Sequence, residues 1–240
     1  MEHMHYFKKT ISFNKLGLII IDEQHKFGVK QRIKFAKKGG VNCDVLLMSA
    51  TPIPRTMMMS IYGDMDTSRL EEKPKYRQKI LTLSKPENKI DELWPFIEKK
   101  IKNNEQIFWV CPLIEDSKKL DFSSTTRIFQ LINKKFPKKV GIIHGALSQE
   151  EKEEILTKFL KNEISILVST TVIEVGVDFP NATVIIIENA NKFGLAQLHQ
   201  LRGRIGRGDK SGTCILLFKN QLSQNAKKRI QILKTSDDGF

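Results

Sequence analysis

Adjacent carboxylates and small hydroxyl residues follow two short apolar runs early in the chain. Asp22 and Glu23 come directly after the run Leu16–Ile21, and Ser49 and Thr51 follow the next run. One of two adjacent acids at the end of a buried strand can hold Mg²⁺ while the other orients a hydrolytic water. Acids at this position also suit the first turn of a helix, so the pair alone leaves both interpretations open.

A second polar group follows a later apolar run, Ile164–Val168. Thr170 and Thr171 lie just after it, and Gly176 and Asp178 lie a few residues further on. Successive hydroxyl groups at a strand-to-helix turn are donors suited to a phosphate, and the helix N-terminus adds to the attraction. This segment therefore indicates a phosphate-binding site.

Arginines cluster near the C-terminal end of a chain whose basic residues are mostly lysine. Only nine of the 40 basic residues are Arg, yet Arg202, Arg204 and Arg207 lie within six residues of one another. The planar guanidinium group suits phosphate and carboxylate partners. In a helix Arg204 and Arg207 would share one face, next to Gln200, and could reach one phosphate. A solvated basic face is the alternative.

The elements that position these residues are short apolar runs alternating with helical stretches. Continuous runs rich in Val and Ile predict strands buried on both faces of a parallel sheet. Ligands of such open α/β sheets bind at the carboxyl ends of the strands, where the polar residues above are expected. The predicted strands are Leu16–Ile21, Val45–Met48, Ile107–Val110, Val140–Ile143, Ile164–Val168, Val184–Ile187 and Cys214–Phe218.

Three helices are predicted between these strands. Asn88–Lys102 has apolar residues at a helical period, and Leu195–Arg204 enters from Gly194. Ser148–Leu160 opens with a capping box, in which Ser148 is the cap and Glu151 stands three residues on. The alternation predicts an α/β fold.

Charge and composition restrict the function classes. The net charge is +13; residues 1–40 and 194–240 each carry nine basic and three acidic residues, against 22 and 21 in the stretch between. Basic ends with a balanced middle suggest surfaces that face a polyanion, with generic lysine solubility as the alternative. No apolar run approaches the roughly 18 residues of a membrane helix. The three cysteines show no zinc-site or disulfide-framework spacing.

Four segments, in order, resemble motifs II, III, V and VI of superfamily 2 helicases. They are DEQH at 22–25, SATPIPRT at 49–56, STTVIEVGVD at 169–178 and QLRGRIGR at 200–207. The longer strings IIDEQHKFGVKQR, WVCPLIEDS and FGLAQLHQLRGRIGRG narrow the resemblance to the RecG family of ATP-dependent DNA helicases. The transcription-repair coupling factor shares part of these strings and is a second candidate, although it usually has DEEQ and lacks VCPLIE.

The resemblance implies a catalytic group that acts on Mg-ATP. Asp22 would hold the Mg²⁺ and Glu23 would polarise the attacking water. Arg204 and Arg207 would be arginine fingers that reach the γ-phosphate from the second RecA-like domain, and Gln200 belongs to the same motif.

The other implied residues fall into three groups. Gly176 and Asp178 would lie beside the nucleotide. The residues expected to couple hydrolysis to domain movement are His25, Ser49 and Thr51. The residues expected to contact the DNA are Arg55, His144, Thr170 and Thr171.

The resemblance also implies RecA-like parallel sheets, in one partial and one nearly complete domain. The expected divisions are 1–79, which holds motifs II and III and ends in the linker Glu71–Lys79, then 80–220 and a helical segment at 221–240. It further implies ATP and Mg²⁺ as cofactors, branched or duplex DNA as the partner, and a monomer in the bacterial cytoplasm, associated with the nucleoid.

One motif of the family does not occur in these 240 residues: the phosphate-binding loop GxxxxGK[ST]. The wedge domain of the family is not recognisable either, so we expect the chain alone to be inactive, with a non-catalytic duplex-binding module as the alternative. The first nine residues, MEHMHYFKK, do not resemble the family. One codon choice for them gives the family-like GTHALFQK when translated two bases later, which favours a reading-frame artefact.

Overall fold

The computed structural model describes residues 14–22, 43–49, 66–68, 70, 78–112, 118–170, 179–219 and 222–235, without the side chains of 118–123. The chain forms two compact units, and the first of them ends at Ser68. None of the described helices is long and apolar enough to cross a membrane.

The first unit contains two described strands, β1 (Leu18–Ile21) and β2 (Asp44–Leu47), which pair in parallel. Ile21 is aligned with Leu47, and the Met48 amide donates a hydrogen bond to the Ile21 carbonyl at 2.8 Å. Ile19 and Ile21 are buried, whereas the alternate residues of β1 are exposed. The prediction of burial on both faces is therefore wrong for β1.

The second unit is built on a six-stranded sheet whose strands are all parallel. The strand order is β3-β8-β7-β4-β6-β5. The strands are β3 (Leu81–Pro86), β4 (Gln106–Val110), β5 (Val140–Ile143), β6 (Ile166–Ser169), β7 (Ala182–Ile187) and β8 (Thr213–Phe218).

The described helices pack against this sheet. They are α1 (Trp94–Lys102), α2 (Lys118–Lys135), α3 (Gln149–Leu160), α4 (Leu195–Arg202) and α5 (Gln224–Thr235), with 3-10 helices at Glu87–Leu93 and Ala190–Lys192. The predicted α/β fold with parallel sheets is confirmed.

Both faces of the second sheet are covered, which explains its continuous apolar strands. On one face Phe108, Ile185 and Leu198 share a core, and on the other face Trp109 and Ile107 belong to a second core. Strands β4 and β7 are buried at every residue. Because successive strand residues point to opposite faces, a strand between two cores needs an unbroken apolar run.

Two predicted helices differ from the structure at their ends. The α-helix expected from Asn88 starts only at Trp94, because Pro95 lacks an amide hydrogen and its ring would clash with an α-helical turn before it. The helix expected to reach Arg204 ends at Arg202, where Gly203 is the C-terminal cap.

The capping box of α3 is confirmed. The Glu151 amide donates to Ser148 Oγ at 3.2 Å, and the Ser148 amide donates to Glu151 Oε2 at 2.7 Å. The helix therefore begins where the sequence predicts, because both orphan amides at its N-terminus are satisfied locally.

Candidate functional site

The carboxyl ends of β1 and β2 bring Asp22 and Ser49 to neighbouring positions. Asp22 directly follows Ile21, and Ser49 lies two residues after Leu47, the aligned partner of Ile21. The Asp22 side chain is exposed, so its carboxylate is accessible to solvent. Mg²⁺ bound with ATP keeps several waters and takes one or two carboxylates, and an exposed acid at a strand end fits that need.

Seven predicted site residues lie outside the described part of the chain. They are Glu23, His25, Thr51, Arg55, Thr171, Gly176 and Asp178. Their roles stay predictions.

The ends of β5 and β6 bring His144 and Thr170 together in the second unit. Ile143 and Ser169 are aligned partners in adjacent strands, and the Thr170 amide donates to the Ile143 carbonyl at 3.4 Å. The sequence separates these residues widely, whereas the parallel pairing places them side by side at the carboxyl edge.

Both residues are buried, which limits what they can do chemically. Burial lowers the pKa of His144 from its ordinary value, and the positive charge of Lys152 lowers it further, partly opposed by Glu151. His144 is therefore neutral at pH 7. The hydroxyl oxygens of Ser169 and Thr170 are buried and have no hydrogen-bond partner in the described part of the chain.

The segment from Gln200 to Arg207 is only partly helical. Gln200 lies on α4 and is half-buried, but Arg204 and Arg207 follow the end of the helix. The two arginines therefore do not share one face of a helix. The physical reason is the glycine content, because Gly203 ends the helix and Gly206 has φ +65°, which favours a glycine.

The three clustered arginines have different environments. Arg202 is 4% exposed, and its Nη1 donates to the Leu233 carbonyl of α5 at 2.7 Å. Arg204 is half-buried and forms no side-chain hydrogen bond or ion pair with another described residue. Arg207 is exposed, and its Nε donates to the Gly203 carbonyl at 3.3 Å. The cluster thus combines one structural arginine with two that solvent reaches.

Sequence reasoning missed a buried acid, Glu188, at the carboxyl end of β7. Trp109 Nε1 donates to its Oε1 at 3.0 Å, and burial raises the pKa of Glu188 to about 7. An acid placed directly after the apolar run 184–187 is the signal that could have identified it. Trp109 itself is fully buried and stacks on Trp94 at 6.0 Å, as expected for a core residue.

Comparison with known proteins assigns this chain to a family. The helicase conserved C-terminal domain matches residues 88–209, which include β4 to β7 and the arginine cluster. The chain belongs to this helicase family. The RecA-like helicase fold that the motifs predicted is thereby confirmed, and so is the resemblance to RecG described next.

Among curated proteins, the helicase-family chain is similar to "ATP-dependent DNA helicase RecG" of several bacteria. It is 45% identical to the Thermotoga maritima protein over 235 residues, which is 97% of this chain and 30% of that protein. It is 44% identical to the Bacillus subtilis protein over 232 residues, 96% of this chain and 34% of that one. The chain thus spans about a third of these relatives and matches the C-terminal part of the helicase core.

Solved structures of helicases are also similar to this chain. A structure of RecG bound to a three-way DNA junction has a TM-score of 0.76 and 40% identity, and the match covers 97% of this chain and 30% of that one. Saccharomyces cerevisiae Dbp5 bound to RNA and ADP BeF3 has a TM-score of 0.71 and 20% identity over 99% of this chain and 61% of that one. The second likeness shows the fold alone.

Proposed function

We propose that this chain is part of an ATP-dependent DNA translocase of RecG type that acts on branched DNA in recombination and repair. The match to RecG helicases along 96–97% of the chain carries the proposal. The relative bound to a three-way DNA junction supports the choice of branched DNA as substrate. We expect a monomer that works in the bacterial cytoplasm, associated with the nucleoid.

In this proposal the first unit supplies the acids that act on Mg-ATP. The exposed carboxylate of Asp22 would hold the metal, and Glu23 orients the attacking water. A metal held there would neutralise charge on the phosphates. His25, Ser49 and Thr51 respond to the loss of the γ-phosphate, and the position of Ser49 near Asp22 supports that role.

The second unit supplies the phosphate and DNA contacts. Arg204 and Arg207 stabilise the charge that develops on the transferred phosphate, and their accessibility to solvent supports this assignment. Gln200 stands a turn before them on α4 and belongs to the same catalytic group. Gly176 and Asp178 lie beside the nucleotide in this proposal.

The DNA backbone meets the carboxyl edge of the second sheet. Thr170 and Thr171 donate hydroxyl hydrogen bonds to phosphates; the Oγ1 of Thr170 has no other partner in the described part of the chain but is buried, so this contact requires the neighbouring residues to move. The neutral ring of His144 beside it adds a polar contact without a charge. Arg55 contacts the backbone from the first unit.

The phosphate-binding loop GxxxxGK[ST] is missing from these 240 residues. In P-loop NTPases this loop holds the β- and γ-phosphates. In this proposal a further segment or chain supplies it, and we expect the 240 residues alone to hydrolyse ATP no faster than background.

The deciding experiment joins the chain to the N-terminal part of Thermotoga maritima RecG that its match leaves out, and measures ATP hydrolysis with and without forked DNA. We expect hydrolysis that DNA stimulates. The Arg207→Ala variant should lose about 10³–10⁵ in rate, the typical effect of an arginine finger. Lys228→Ala, at an exposed basic residue of α5, is the control and should keep the rate.

Two results would contradict the proposal. A hydrolysis rate within about threefold of wild type for Arg207→Ala would show that Arg207 is not an arginine finger. DNA binding without any hydrolysis in the joined protein would favour the non-catalytic duplex-binding module instead.

A further inference from the structure

The edge of the second sheet opposite the candidate site carries a row of lysines. Helices α1, α2 and α3 each precede a strand of the group β4-β6-β5, so their last turns meet at the amino ends of these strands. Six exposed lysines, here called the amino-edge lysines, lie in these turns: Lys99, Lys134, Lys135, Lys138, Lys139 and Lys161. Lys210 joins them, because its Nζ donates to the Asn103 carbonyl after α1 at 3.4 Å.

The positive charge of this row is only partly compensated within the described part of the chain. None of the amino-edge lysines forms an ion pair with a described residue. Among the acids of these turns, Glu98 and Glu105 are paired with Lys102 at 2.8 Å and with Lys100 at 2.7 Å. The exposed Glu163 and Asp209 also lie here, but the lysines outnumber them. An excess of unpaired positive charge on one edge attracts a polyanion.

The turns that carry these lysines have a fixed backbone. The Ser165 and Ile166 amides both donate to the Lys139 carbonyl at 2.9 Å, which ties the start of β6 to the turn before β5. Three residues at this edge have positive φ: Asn104 at 56°, Lys138 at 62° and Asn162 at 59°.

Lys138 is unusual among these three. Asn tolerates the left-handed conformation better than most residues, and it occupies the equivalent turns after α1 and α3. Lysine at such a position has a conformational cost, and a use for its charge at this edge would offset that cost.

The dimensions of the row fit duplex DNA. The turns that carry the row precede β4, β6 and β5, which are two inter-strand steps apart, or about 10 Å at the usual strand spacing. That length corresponds to roughly three base pairs of duplex. Single-stranded binding relies on exposed aromatic rings. The aromatic residue in the described turns here, Phe136, is half-buried and packs on Trp94.

We propose that the amino-edge lysines form a second DNA-binding surface, which binds the phosphate backbone of a duplex without reading its sequence. The surface lies on the edge opposite His144 and Thr170. It allows one domain to contact two duplex arms at once. The proposal goes beyond the function proposed above and shares only the ligand with it.

The test measures binding of the intact 240-residue chain to a labelled blunt duplex by fluorescence anisotropy, at salt concentrations between about 50 and 200 mM. The variant Lys134→Gln/Lys138→Gln/Lys139→Gln removes three charges of the row. The control Lys227→Gln/Lys228→Gln/Lys234→Gln removes three exposed charges from α5. Circular dichroism melts of all three proteins exclude a loss of fold as the cause of any change.

We expect the amino-edge variant to bind at least tenfold more weakly at the lowest salt. Its slope of log K against log salt should be shallower by about 2 to 3, since each lost phosphate contact removes about 0.9 from the slope. The control should keep the wild-type slope to within about 0.5.

Four outcomes would overturn the proposal. An unchanged slope in the amino-edge variant would leave only the carboxyl edge as the DNA surface. An equal loss in the variant and the control would show a general effect of net charge. Binding of polyglutamate in place of duplex by the wild-type chain would point to an acidic protein partner. A wild-type chain that binds no duplex would also exclude this DNA-binding surface. The hydrolysis experiment would still test the proposed function independently.

Discussion

At the residue scale, Glu188 links the buried core to the carboxyl edge of the sheet. Its carboxyl accepts a hydrogen bond from Trp109 Nε1, and burial is the main cause of its raised pKa of about 7. The Trp109 bond and the charge of Arg127 oppose this rise, whereas the charge of Glu87 adds to it. Between pH 4.5 and about 7 the folded chain therefore binds more protons at this site than the unfolded chain.

This difference predicts a pH-dependent stability. The favourable contribution of protonated Glu188 is present below pH 4.5 and is lost as the pH rises through about 7. Glu188→Gln keeps an acceptor for Trp109 and cannot ionise, so it should be more stable than wild type at pH 8, by at most ~3 kcal/mol. Urea unfolding at several pH values measures the difference.

Glu98→Gln is the matched control, because Glu98 is an exposed acid. It should leave the pH dependence nearly unchanged. Equal stabilities of wild type and Glu188→Gln at pH 8 would show that the carboxyl of Glu188 ionises without cost in the folded chain.

At the element scale, α5 is fixed to the arginine segment by two buried or half-buried arginines. Arg202 of α4 donates to the Leu233 carbonyl, and Arg229 of α5 donates to the carbonyls of Phe193 and Asn191 at 2.8 and 3.0 Å. These bonds connect both ends of α4 to the same neighbouring helix. The position of Arg204 and Arg207 therefore depends on α5.

The bond from Arg202 predicts a measurable loss of stability. Arg202→Met keeps much of the apolar volume but leaves the Leu233 carbonyl without this donor, which should cost about 1–3 kcal/mol. Lys228→Met on the exposed face of α5 is the control and should change the free energy of unfolding by less than about 0.5 kcal/mol. Equal effects of the two substitutions in urea unfolding would show that the hydrogen bond from Arg202 to Leu233 does not stabilise the fold.

At the whole-molecule scale, the second unit has its own two cores and includes α5. Ala226, Ile230 and Leu233 of α5 are buried, and two of them belong to the core that contains Phe108. The sequence predicted a separate segment from residue 221, yet its helix packs on the second unit. We propose that residues from the linker to about 235 form the stable domain.

Limited proteolysis tests this boundary. Trypsin should leave a resistant fragment that begins within the linker Glu71–Lys79 and still contains α5. In the Leu233→Ala variant α5 should become sensitive, since large-to-small core changes cost about 2–5 kcal/mol. A wild-type fragment that ends near Lys219 by mass spectrometry would exclude α5 from the domain.

Elements with a strong local signal were predictable from the sequence. The runs of β4, β5 and β7 are continuous and apolar because both of their faces are buried, and Ser148 marks the start of α3 through its own hydrogen bond. Edge strand β3 was missed, because the exposed Leu81 and Leu83 alternate with Thr82 and Ser84 and give no apolar run. Helix α2 was also missed.

The sequence by itself determined the α/β class, the order of the helicase motifs and therefore the family, since these depend on residue types and local spacing. Only the tertiary structure decided which arginine of the cluster is structural, because Arg202 meets Leu233 across 31 positions of the chain. Only the tertiary structure places His144 beside Thr170 and gathers the amino-edge lysines at one edge of the sheet. Their neighbours come from distant segments, and parallel strand pairing, which no local pattern specifies, brings them together.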